Sequence, residues 1–198
     1  MKMKNILIFL LLCSAITQAQ DVNIEGWDGE YTSGAYYKDI NSHLNQFEGT
    51  YKYSGGNIEL TMVFKKIIKH HNGIYYEDLL IGEVKFVKDG LVFFNNLSKI
   101  NTVYPNQLLH HIVGNTILKP TSPPACVGCT ANQKRVDLTF FGRENNQGGS
   151  IILQKITGAN QPDKLKINIM YSNSIWLPGE PEPLDALIKN GEYLLIKQ

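Results

Sequence analysis

Charge of one sign is missing from this chain: 19 Lys and Arg face 18 Asp and Glu over 198 residues. No long run of bases interrupts the balance. The sequence therefore offers neither the basic stripe that tracks a phosphate backbone nor a polybasic patch for an anionic membrane surface. Cysteine is scarce, and no second CxxC or HxxxH completes a four-ligand zinc set. After the N-terminus no segment reaches eighteen consecutive apolar residues, which excludes a membrane-spanning helix. Catalytic signatures are missing as well: no Gly-x-Ser-x-Gly elbow, P-loop, dinucleotide fingerprint or HExxH. These absences leave no nucleic-acid partner, no metal ligand set, no cofactor and no catalytic residue to assign.

What is present is an ordinary globular composition, 43% hydrophobic and 10% aromatic, in a chain long enough to bury its own core. The N-terminus has three parts. Met1-Lys-Met-Lys-Asn5 is basic, Ile6-Leu-Ile-Phe-Leu-Leu-Leu12 is apolar, and Ser14-Ala-Ile-Thr-Gln-Ala-Gln20 is more polar. That layout predicts a secretory signal peptide over residues 1–19, cut after Ala19, and one β-domain over residues 20–198. About eleven apolar residues are too few to cross a core of about 30 Å. A lipid anchor on Cys13 is the rival reading, but the residue before it is the bulky Leu12. Without the first twenty residues, which carry two lysines and no acid, 17 bases face 18 acids. The expected location is exported, periplasmic or extracellular.

Export changes how the remaining cysteines read. Cys126 and Cys129 sit in Cys-Val-Gly-Cys within a proline-rich segment, Lys119 to Gln133. An oxidising compartment predicts a local disulfide between them. A redox site would place the first cysteine at the start of a helix, whereas a polar, then β-like run follows Cys129. Two adjacent histidine pairs, His70-His71 and His110-His111, and the single His43 are expected at turns and on the surface. Neighbours on a strand face opposite ways and cannot both serve one site.

The rest reads as β. Eighteen Asn and 17 Gly supply turns, and apolar residues alternate. Strands are expected at Gly49 to Tyr53, Ile58 to Lys65, Ile74 to Lys88 with a bulge at Gly82, and Leu91 to Phe94. Ser54-Gly-Gly-Asn57, Asn72-Gly73 and Asp89-Gly90 mark the turns between them. Two short strands are expected within Leu97 to Leu118. Further strands fall at Val136 to Phe141, Ser150 to Ile156, Lys164 to Tyr171 and Glu192 to Lys197. Ile40, Leu44 and Phe47 predict a short helix over Lys38 to Phe47, and Leu184 to Lys189 a single helical turn. About eight to ten short strands imply one antiparallel barrel or, second, a β-sandwich. The apolar run Tyr193-Leu-Leu-Ile196 is expected to close the sheet.

Phe47-Glu-Gly-Thr-Tyr51, entered from that short helix, resembles the opening of lipocalin-type barrels. There a Gly-x-Trp follows a short helix, and Tyr51 stands here in the tryptophan's place. The resemblance implies a lipocalin-like barrel. Asn45-Gln-Phe-Glu-Gly-Thr-Tyr-Lys-Tyr53 and Tyr75-Tyr-Glu-Asp-Leu-Leu-Ile-Gly82 resemble an uncharacterised family of small exported Bacteroidota proteins, which implies no activity.

For function, Tyr36-Tyr37, Tyr51, Tyr53 and Tyr75-Tyr76 are the usable clue. They fit ordinary sheet packing or an aromatic-lined cavity holding a small apolar molecule or a sugar. The adjacent acids Glu77 and Asp78 face opposite ways on a strand, and Asp78 is expected as a solvated strand-end acid. Glu180 and Glu182 fall between prolines with no partner base. The reading is a non-enzymatic exported binding protein. The alternative is an envelope protein that binds another protein or a surface glycan through its outer face.

Overall fold

Two-residue turns and strict alternation build the sheet. The computed structural model describes residues 20–198 apart from 28, 143–146, 159–161 and 172–187. Asp89 and Gly90 both have left-handed φ, +52° and +77°. A type I′ hairpin turn, whose twist matches the strands it joins, needs that at both central positions. Asn72 sets the next tight turn with its side chain, whose Oδ1 accepts from the Ile74 and Tyr75 N–H groups at 3.1 Å.

The strands are β1 (Asp21–Asn23), β2 (Tyr36–Lys38), β3 (Gly49–Gly55), β4 (Ile58–His71), β5 (Tyr76–Lys88), β6 (Leu91–Asn95), β7 (Ile112–Leu118), β8 (Arg135–Gly142), β9 (Gln147–Ile156), β10 (Lys164–Tyr171) and β11 (Gly191–Lys197). Eight of them, β3-β4-β5-β7-β8-β9-β10-β11, pair antiparallel with their neighbours in that order. β11 returns to β3 through Ile196↔Lys52 and Lys197↔Tyr51, closing the barrel as the C-terminal apolar run implied. Leu60, Met62 and Phe64 of β4 point inward and are buried, as do Leu165, Ile167 and Ile169 of β10. The interior is packed with such side chains, joined by Phe86, Phe140 and Leu153.

β5 holds the barrel together. One edge pairs with β4 along nearly its whole length. The other edge is divided: Tyr76 and Glu77 take the parallel strand β2, Leu80 to Gly82 take β7, and Lys85 to Lys88 take β6. β1, β2 and β6 thus lie off the closed ring.

Three expectations change. No helix forms over Lys38 to Phe47, where the chain makes only a 3-10 turn at Asn45–Phe47. Ser42 has a left-handed φ of +55°, which interrupts a helix before it can propagate. Leu44 and Phe47 are buried while Ile40 is 53% exposed, so the three do not share a face. Gly82 is no bulge, because the β4–β5 register runs through Phe64↔Gly82 without a break. A Cβ there would lie 2.9 Å from the Phe64 ring, so the position is glycine for close packing. The irregularity lies instead in β4, between Ile67 and His70. Leu97 to Leu118 holds one strand, β7, after 3-10 turns at Leu97–Asn101 and Gln107–Leu109. The Leu184 to Lys189 turn falls largely outside the described residues.

Deleting residues 190–198 removes β11 and leaves the edges of β3 and β10 unpaired. The expected outcome is an aggregated protein on size-exclusion chromatography. A truncated monomer with an unchanged circular-dichroism spectrum would show that the ring does not need its last strand.

Candidate functional site

Glu77 and Asp78 do face opposite ways, and neither is solvated. Asp78 is 3% exposed, which overturns the expectation of a strand-end acid in water. Its Oδ1 accepts from the Tyr36 hydroxyl at 2.5 Å and from the Lys69 N–H at 3.0 Å, and its Oδ2 from the Asp39 N–H at 3.0 Å. Lys69 occupies the β4 irregularity with φ +54°, so Asp78 satisfies a backbone donor that the ladder has lost. Asp39 in turn accepts from the His43 and Leu44 N–H groups and from Lys66 Nζ at 2.8 Å. This network ties the 39–47 turn to the barrel.

On the outer face of β5, Leu79, Ile81 and Glu83 alternate with the inward residues, yet all are buried. Alternation predicts an exposed Glu83. The parity holds, but the chain around 97–111 covers that wall. Glu83 Oε1 lies 2.7 Å from His110 Nδ1, and Oε2 lies 2.9 Å from His111 Nδ1. Both imidazoles are buried, contrary to the surface position expected of them. They precede β7 rather than alternating along it, so adjacent side chains can turn to one carboxylate. Asn96 Nδ2 donates to His111 Nε2 at 3.3 Å, leaving the ring proton on Nδ1 for Glu83. Burial pushes the Glu83 carboxyl up, but the two imidazole hydrogen bonds outweigh it and hold the group below its ordinary value. His70 is half-buried, His71 is exposed, and His43 pairs with Glu25 at 2.8 Å.

Between this covered wall and the β2 junction lies a cleft of about 750 Å³, outside the barrel, against β5, β7, β8 and β9. Glu77 stands in its wall. Asn72 Nδ2 donates to its Oε1 and Asn115 Nδ2 to its Oε2, both at 3.1 Å. Asn115 falls within the β7 register shift between Val113 and Thr116, and its amide also reaches the Asp78 carbonyl at 2.9 Å. Asp137 enters from β8 and accepts from the Ser150 hydroxyl of β9. Burial pushes both carboxyls above the ordinary range. Gln107, 5% exposed, donates Nε2 to the Tyr104 carbonyl at 2.7 Å, while its buried Oε1 accepts from none of the described residues. Burial, and then His71, keeps the His70 imidazole below its usual value, which favours its neutral form.

One end of the cleft is aromatic. Tyr31 stacks on Tyr75 with centroids 4.0 Å apart, Trp27 lies 4.1 Å from Tyr31, and Tyr37 packs edge-on against all three. The tyrosines singled out from the sequence thus separate. Tyr75 lines the cleft, Tyr37 supports it, Tyr51 is inside the barrel, Tyr53 packs on Tyr193, and Tyr36 serves Asp78. Asn115, Asp137 and Gln107 carried no local signal, although the alternation around Val136-Asp-Leu138 places Asp137 on the outer face. Glu180 and Glu182 fall outside the described residues.

Cys126 and Cys129 are paired, with Cα atoms 5.6 Å apart. Their loop is held by Arg135, whose guanidinium donates to the carbonyls of Pro124, Lys119 and Ser122. Val127, between the cysteines, is 94% exposed. The disulfide therefore closes an exposed tip whose base is already tethered.

Taken together, the molecule is a closed eight-stranded, next-neighbour β-barrel with a polar and aromatic cleft on the outside of its wall. Residues 1–198 match a family described as "Family of unknown function (DUF6705)", and the chain belongs to it. No curated protein and no solved structure matches the chain.

The Glu83 pKa is depressed by folding, so its stabilisation is complete above the unfolded carboxyl value of about 4.3. It is lost as pH falls through the lower folded value. Glu83→Gln should lose about 1–3 kcal/mol at pH 7 by urea unfolding. The gap to wild type should narrow as pH falls below the unfolded carboxyl value of about 4.3 and on through the lower folded one. A gap that does not change with pH would mean that the charge contributes nothing.

Chain entropy assigns a four-residue disulfide loop at most about 2 kcal/mol. Cys126→Ser with Cys129→Ser should therefore lower Tm by only a few degrees, at about 2–4 °C per kcal/mol. Arg135→Ala strips three carbonyl bonds and should cost about 2–4 kcal/mol. Calorimetry that reversed this order would make the disulfide the loop's main restraint.

Proposed function

We propose that the protein is an exported, non-enzymatic binding protein that holds a small molecule in the cleft on the outer barrel wall. The observation that carries this reading is the cleft itself. About 750 Å³ falls within the range of small-molecule sites, and an aromatic end meets a few convergent polar groups, as such sites require. The packed interior argues against a ligand inside the barrel. The next-neighbour strand order supports a lipocalin-like architecture, with the site moved from the lumen to the outside. Export rests on the three-part N-terminus, and the Cys126–Cys129 disulfide agrees with an oxidising periplasmic or extracellular setting. The mixed lining favours an amphipathic ligand over a purely apolar one.

A second reading, an envelope protein that binds another protein, has its own support. Leu91, Val92 and Phe93 are 67%, 58% and 49% exposed on β6, whose described pairing is with β5 alone. Such an edge can accept a strand from a partner.

Native mass spectrometry of protein purified from its host tests both. A retained small molecule is expected, and Thr139→Trp should release it by filling the cleft from an exposed position. A bound mass indifferent to Thr139→Trp would overturn the cleft reading. A protein-sized partner would favour β6.

A further inference from the structure

We propose that the ligand of this cleft is a small organic ammonium cation, an amine of a few carbons. The inference rests on the cleft being a binding site and adds the chemistry of what enters it.

The buried hydrogen-bonding groups of the wall, Glu77 and Gln107, leave acceptors to be filled. Three of its amides already donate within the protein: Asn72 and Asn115 to Glu77, and Gln107 to the Tyr104 carbonyl. The Ser150 hydroxyl donates to Asp137. Acceptor capacity remains at both carboxylates and at Gln107. Each carboxylate offers about four lone-pair sites, more than its described partners fill. Gln107 Oε1, buried in the same wall, accepts from none of the described residues. A ligand rich in N–H donors matches these acceptors, whereas an anion would meet two carboxyl groups.

The charges agree. Among the described residues lining the cleft there is no Lys or Arg, and burial favours the neutral form of its one imidazole, His70. Neither Glu77 nor Asp137 forms an ion pair among the described residues. The nearest cation on the same strand is Arg135, which acts on Asp137 through space while its guanidinium is engaged by three carbonyls. Glu77 is therefore buried and Asp137 half-buried, and both are hydrogen-bonded only by neutral donors. Such burial is unfavourable for the charged form, and an entering cation removes that cost at both groups. Tyr31 and Tyr75 at the aromatic end suit the alkyl part and the polarised C–H groups of an alkylammonium ion.

Isothermal titration of the full-length protein tests this with alkylammonium ions from tetramethylammonium to 1,5-diaminopentane. Pentane-1,5-diol, glutarate, maltose and calcium serve as comparisons. At least one ammonium ion should bind, while the diol, glutarate, maltose and calcium do not. Glu77→Gln and Asp137→Asn should each weaken binding about tenfold or more. Thr139→Lys, which brings an ammonium into the cleft from an exposed strand position, should abolish it with an unchanged circular-dichroism spectrum. Equal binding of the diol, maltose or calcium overturns the ammonium assignment, as does ammonium binding unaffected by all three substitutions. A neutral host-derived molecule released by Thr139→Trp overturns it too, while leaving the cleft as the binding site. If no probe binds and no small molecule is retained from the host, both readings fall together.

Discussion

A strand of thirteen residues must satisfy the backbone donors and acceptors on both of its edges, and β5 does so with four partners. β4 covers one edge. No single strand covers the other, so β2, β7 and β6 divide it. Each handover between partners leaves a stretch where the ladder alone does not order the neighbouring chain, and a buried carboxylate stands beside each. Asp78 and Glu77 lie next to the end of the β2 pairing, and Glu83 follows the last residue paired with β7. The buried acids of β5 follow from how one long strand shares its edge.

The carboxylates next to these handovers, and Asp137 across the cleft, are satisfied in different ways. Asp78 receives two backbone N–H groups and a phenol, with Lys66 Nζ 3.9 Å away. Glu83 is enclosed by two imidazoles and cut off from water. Both arrangements are closed, and both organise chain: the 39–47 turn in one case and the 97–111 cover in the other. Glu77 and Asp137 differ. Neutral amides and a hydroxyl support them, burial raises their pKa values, and they face a cleft that a small molecule can enter. Desolvation without an ion pair among the described residues separates these two from the structural acids.

The parts legible in the sequence were those set by neighbours along the chain. Alternation in Ile58 to Phe64 and Lys164 to Ile169, and the Asp-Gly and Asn-Gly pairs, located strands and turns because strand period and turn geometry are local properties. The apolar C-terminal run was legible as the closing strand because its burial demanded a sheet edge. Where local rules were applied to a position with a tertiary role, they failed. Gly82 read as a bulge and is a contact with Phe64. His110 and His111 read as surface residues and are buried on Glu83. Helical spacing at Ile40, Leu44 and Phe47 yielded to a left-handed Ser42 and a turn held by Asp39.

By itself, then, the sequence determined a β-rich chain with most of its barrel strands, its tight turns, a balanced charge and a cysteine pair close enough to bond. All of these depend on composition or on residues a few positions apart. Only the tertiary structure decided that β6 leaves the ring, that the lumen is filled, and that the cleft lies on the outside. It alone brought Glu77, Asn115, Asp137 and Gln107 to one wall. These four come from three strands and a turn, and no periodicity relates them. Their proximity depends on which stretch of β5 each partner takes, and that is settled by strand pairing across the whole barrel.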